Sequence, residues 1–88
     1  MSFYVYLIAT KINNKIISYA GYTKNLTKRL NLHNSSKGAK FTKGKKWVVI
    51  YYKKYKTKKN AMKNEYKLKK NIKFKKYLKK KYVNKFKV

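Results

Sequence analysis

All but one of this chain's 27 basic residues are lysine, and a single Glu opposes them, giving a formal charge of +26 on 88 residues. A compact domain carrying that charge repels itself, so a polyanion is its expected companion. Nucleic acid is the first candidate, ahead of an anionic membrane or an acidic protein. With 43% hydrophobic and 17% aromatic residues, the chain is too apolar for a solvated basic tail. Its length predicts one small domain over 1–88 with a modest core, burying about 60–70% of the unfolded surface. Cysteine is absent, which removes disulfides, thiolate zinc sites and iron–sulfur centres. No apolar run approaches the ~20 residues of a membrane span, and no signal peptide precedes the first strand-like stretch. The expectation is an intracellular, soluble chain of the cytoplasm or nucleus/nucleoid, not secreted.

The residues that occur once carry more information than the bulk. Arg29 is the only Arg, His33 the only His and Glu65 the only acid. Lysine serves wherever a point charge suffices; a retained Arg suggests a place that needs the planar fork matching phosphate oxygens. A lone carboxylate among lysines suits a divalent metal. Chance survival is the alternative for each residue taken singly.

Phe3–Ala9 is aromatic and β-branched, as strands prefer. Asn13-Asn14 supplies a turn, and Ile16–Tyr22 reads as the returning strand. Gly21 suggests a close approach of backbone to a helix or substrate. Asn25 is a candidate N-cap for a short helix carrying Leu26, Leu30 and His33, with Arg29 and His33 four apart on one face. A polar loop over 34–46 leads to a third strand, Trp47–Tyr52. Trp47, Tyr51, Tyr52 and Tyr55 read as packing residues.

Thr57 opens a second helix in which Ala61, Glu65, Leu68 and Ile72 form one stripe. An acid on that stripe is expected to point inward or into a cleft, where a metal or a basic partner compensates it. The alternative is a rim position paired with a neighbouring lysine. Beyond Lys67, Phe74, Tyr77, Leu78 and Tyr82 interleave with lysines, which predicts a basic amphipathic helix over about 73–86 packed on the domain.

Tyr4-Val5-Tyr6 followed by Tyr19-Ala20-Gly21 resembles the paired signature of the GIY-YIG nucleases. The stretch Tyr22–Asn34, with Arg29 and His33, is similar to that family's arginine helix. Ser36–Thr42 resembles the loop of its short members, and Ala61–Lys70 the glutamate helix. The likeness covers roughly residues 3–75 and is greatest to small UvrC-like and structure-specific members. The three singletons fall on family active-site positions. Tyr4 stands where Gly is frequent and Ala20 where Ile is, and neither supplies a reacting group. The resemblance implies an α/β (α+β) domain, a small, mainly antiparallel three-stranded sheet flanked by helices in the order ββαβαα.

It also implies a metal-dependent endonuclease that hydrolyses DNA phosphodiester bonds, structure-specific or weakly specific, in repair, recombination or processing. Glu65 would hold one Mg²⁺ (or Mn²⁺), and Arg29 would clamp phosphoryl oxygens. Tyr19, with Tyr6 beside it, would orient or deprotonate the attacking water, and His33 would contact phosphate or assist proton transfer. Lys24, Arg29, Lys37, Lys40, Lys43, Lys69 and Lys70 are the expected nucleic-acid contacts. The partner is branched or duplex DNA, with RNA open, no membrane, and room for a targeting protein. Two alternatives remain: a catalytically inactive nucleic-acid-binding protein of the same fold, and a membrane-surface or acidic-protein binder built on 67–88.

Overall fold

The computed structural model describes residues 2–38 and 40–83. Two long strands, β1 (Phe3–Ile12) and β2 (Lys15–Thr23), form a hairpin; then come α1 (Leu26–Asn34), a 3₁₀ turn at Lys40–Thr42, β3 (Val48–Tyr55), α2 (Lys58–Lys70) and α3 (Ile72–Lys81). The hairpin closes through Asn13 and Asn14, both left-handed with φ of 49° and 66°, a two-residue turn whose twist suits the strands. The sheet is antiparallel throughout, in the order β2-β1-β3. The ββαβαα order and three-stranded sheet are those expected of the α/β class.

Strand β1 lies in the middle and is covered on both faces, which is why Val5–Ala9 is apolar without alternation. Val5, Leu7 and Ala9 face one layer with Ala20, Ile50, Ala61, Leu68 and Leu78, so α2 and α3 cover that side. Tyr6 and Ile8 face the other with Trp47, and Leu26 and Leu30 of α1 pack there. Opposite β1, Leu7 pairs with Tyr51 but Ile8 with Val49. This bulge turns Ile50 and Tyr51, consecutive in sequence, toward the same helical layer.

The third strand differs from the expected Trp47–Tyr52. Trp47 precedes it, buried, with its N–H donated to Asn34 Oδ1 at 2.6 Å and its carbonyl accepting from Asn34 Nδ2 at 3.2 Å. Tyr51 and Tyr55 pack as expected, whereas Tyr52 is 59% exposed.

Ile72 leaves the stripe to which periodicity assigned it and is 63% exposed. The reason is Asn71, which closes α2 and then caps α3, its side chain accepting the Phe74 N–H at 3.0 Å. Helical phase restarts there, so Phe74, Leu78 and Tyr82 face the core and Tyr77 is largely exposed. The expected C-terminal helix over 73–86 is shorter: α3 ends at Lys81, capped by Tyr82, and the 84–88 part of that expectation lies outside the described residues. Within α3, burial and then the charges of Lys75 and Lys76 lower the pKa of Lys79.

Candidate active site

The strand-to-helix step that positions α1 is built from polar side chains. The Asn25 N–H donates to Thr23 Oγ1 at 3.2 Å, and Asn25 Oδ1 accepts the Lys28 N–H at 3.0 Å, capping the helix. So fixed, α1 turns Arg29 and His33 toward Tyr6 on the face of the sheet it covers. The Tyr6 hydroxyl lies 2.9 Å from His33 Nε2, and both residues are buried.

Two glycines make the room. A Cβ on Gly21 would collide with the end of the Tyr6 ring, and one on Gly38 with the His33 imidazole. Gly21 thus accommodates a side chain of the neighbouring strand, where the sequence suggested a helix or substrate. Tyr19 packs edge-on against His33, with centroids 5.3 Å apart, and stacks on Phe41 at 6.0 Å and 21°. Phe41, exposed in the loop after α1, also leans on Trp47.

Burial raises the pKa of Tyr6; a hydrogen bond from Arg29 and its charge pull the other way, while Tyr19 and Glu65 add to the rise. Arg29 can only donate. The Tyr6 oxygen accepts from Arg29 and faces His33 Nε2, to which its own proton can be donated when that nitrogen is unprotonated. Burial, then the Arg29 charge, lowers the pKa of His33 and so favours the neutral imidazole. Arg29, Tyr6 and His33 thus form one cluster centred on the Tyr6 hydroxyl.

Glu65 stands on α2 with its side chain 18% exposed and Oε1 3.1 Å from Lys69 Nζ. It joins the cluster through its charge on Tyr6 and combines both sequence readings: partly inward, yet paired with a lysine. Among the described residues no three His, Cys, Asp or Glu gather as a metal cluster. The expected nucleic-acid lysines are spread more widely. Lys24 lies over the Phe3 ring, Lys70 over Tyr66, and Lys37, Lys40 and Lys43 are exposed in the loop after α1. A cavity of about 300 Å³ holds Lys24, Lys28 and Arg29 in its walls.

Sequence reasoning missed Phe41, Asn34 and Gly38. A single aromatic in a polar loop was the signal for Phe41; nothing local distinguished Asn34 or Gly38.

The family model described as the GIY-YIG catalytic domain matches residues 2–82, across all of these groups. The chain belongs to the GIY-YIG family. Its GIY-YIG domain is 52% identical over 50 residues to a UPF0213 protein of Bacillus pumilus, covering 56% of this chain and 51% of that one. A UPF0213 protein of Staphylococcus haemolyticus is 42% identical over 64 residues, covering 72% and 74%. A third, from Oceanobacillus iheyensis, is 42% identical over 65 residues, covering 73% and 72%. The matched stretch spans about half the length of the first of these relatives. No solved structure is a significant match. Among the described residues, no helix of the GIY-YIG domain is long and apolar enough to cross a membrane.

Proposed function

We propose that the chain is a metal-dependent endonuclease that hydrolyses DNA phosphodiester bonds, with Tyr6, Tyr19, Arg29, His33 and Glu65 as its working groups. The observation that carries this reading is convergence: His33, the chain's one His, lies 2.9 Å from the Tyr6 hydroxyl, and its one Arg and one acid are both near enough to bear on the Tyr6 pKa. Glu65 fits one Mg²⁺ or Mn²⁺, because Mg²⁺ keeps most of its waters and takes one or two carboxylates. Its carboxylate reaches solvent, and its Lys69 partner is half-exposed on a flexible stem. Such an ion supplies charge stabilisation to the phosphoryl oxygens and the leaving oxygen.

The chain's own groups divide the remaining work. Arg29 presents its guanidinium fork to the non-bridging oxygens as charge builds there. Tyr19, half-buried and more open than Tyr6, orients the attacking water and takes its proton. His33 fixes the Tyr6 hydroxyl, which in turn aims Arg29; it acts from beneath the site, being buried. Lys24, Lys37, Lys40, Lys43, Lys69 and Lys70 hold the backbone. If ~6–10 phosphates are engaged, affinity falls ~10³–10⁵ between 50 and 200 mM salt. The setting is DNA repair, recombination or processing inside the cell, with room for a partner protein that supplies targeting.

The Glu65–Lys69 pair favours a second reading, a basic nucleic-acid-binding protein of the same fold without catalysis. Cleavage of labelled branched and linear DNA in Mg²⁺ or EDTA, wild type beside Glu65→Gln, separates the two. Metal-dependent cleavage lost in the variant supports the nuclease; binding without cleavage in Mg²⁺ or Mn²⁺, unchanged by the variant, supports the binder.

A further inference from the structure

Between the free edge of β3 and α3 runs a groove of about 570 Å³, walled by Tyr51, Tyr52, Phe74, Tyr77, Tyr82 and Lys81 among others. The β3 bulge builds it, since turning both Ile50 and Tyr51 toward α3 brings the Tyr51 ring edge-on to Phe74 at 5.2 Å. Tyr77 stacks on Phe74 at 6.3 Å and 19° yet is 58% exposed, so the stack of rings is left open.

The groove does not stand apart from the site. It shares Leu26 and Tyr52 with a second hollow of about 430 Å³, which also holds Tyr4, Lys24 and Asn25. That hollow shares Lys24 and Asn25 with the cavity containing Arg29. Adjoining depressions therefore lead from a cavity walled in part by Arg29 to the open aromatic stack.

We propose that this groove binds unpaired bases of a single-stranded flank of the nucleic acid, whose backbone continues to Arg29. The proposal rests on the nuclease reading and narrows its substrate to DNA with a single-stranded arm. Charge selects the occupant: with +26 on the chain, a second copy is repelled and a polyanion attracted. Ring chemistry selects the form: paired bases present only edges outward, whereas an unpaired base offers a face to stack on tyrosine. The groove's walls offer mainly ring faces and aliphatic side chains, so the binding is expected to depend on stacking more than on sequence.

The test is fluorescence anisotropy in EDTA, where no cleavage intervenes, with a labelled oligothymidylate and a blunt duplex of equal length. Tyr77→Leu and Tyr52→Leu remove the aromatic faces at exposed positions, and Tyr77→Phe keeps one; circular dichroism checks that each folds. Each Leu variant should lower the ratio of single-strand to duplex affinity by about 5- to 100-fold, and Tyr77→Phe should hold it. An unchanged ratio in both Leu variants overturns the proposal. So does a dimer, seen by sedimentation, that either Leu variant dissociates, because the groove then joins two copies. A wild type that cleaves no DNA in Mg²⁺, but whose ratio still falls on Leu substitution, defeats the nuclease reading and leaves the groove assignment standing.

Discussion

The Tyr6 hydroxyl meets His33 Nε2 at 2.9 Å in the interior of the domain, within reach of the Arg29 charge. Burial favours the neutral form of both, raising the pKa of the tyrosine and lowering that of the histidine.

A pH dependence of stability follows. The His33 pKa lies below its usual 6.5 in the folded chain, so between the two values the unfolded chain binds more protons. Stability from this group is complete above about 6.5 and declines as pH falls toward the folded pKa. Tyr6 acts at the other end, losing its contribution as pH rises above about 10. Melting temperatures between pH 5 and 8 should fall on the acid side, and His33→Gln should flatten that slope.

Gly21→Ala is expected to destabilise the fold by about 1–3 kcal/mol, because the new methyl occupies the space of the Tyr6 ring end. Combined with Tyr6→Phe, which removes the nearest contact atom, its cost should shrink. Urea unfolding of the single and double variants measures the coupling. Equal costs in both backgrounds would show that the two groups do not meet.

Asn34→Ala removes both hydrogen bonds that tie the Trp47 backbone to the end of α1. A loss of about 1–3 kcal/mol is expected. Emission from Trp47, the chain's one Trp, should shift to the red as its packing loosens. Asn34→Asp keeps an acceptor for the shorter bond and should lose less.

Arg29→Lys keeps the charge and discards the fork. Cleavage should fall ~10²–10³-fold while affinity for DNA at low salt changes little, as read by single-turnover kinetics beside anisotropy. A parallel loss of both would make Arg29 a binding residue alone.

Lys69→Gln tests the opposite side of the site. The pair with Glu65 is partly exposed and spaced four apart on α2, worth about 0.3–0.5 kcal/mol, so the melting temperature should barely move. Freed from its lysine, Glu65 should reach half-maximal cleavage at a lower Mg²⁺ concentration. A higher requirement would mean that the hold of Lys69 on the substrate backbone outweighs its competition with the metal for Glu65.

Most of the architecture was legible because lysine marks the outside so heavily. Phe3–Ala9, aromatic and β-branched without a charged residue, reads as a strand, and Asn13-Asn14 as the turn that follows it. The site was legible for a different reason: in a chain of lysines, one Arg, one His and one Glu mark themselves. What escaped depended on where side chains end up. Asn71 reads equally as a helical residue or a cap, and its choice moved Ile72 to the surface. The β3 bulge, which set Ile50 and Tyr51 on one side, has no local signature among apolar residues. Gly38 and Phe41 reach the Tyr6–His33–Tyr19 cluster only through the course of the loop that carries them.

Asn71 has a mechanical consequence. One residue both ends α2 and begins α3, so the two helices meet without a slack connection. Glu65 sits on the first arm and Phe74 and Tyr77 on the second. The helix that carries the carboxylate and the helix that walls the groove are thus hinged on a single residue that belongs to neither.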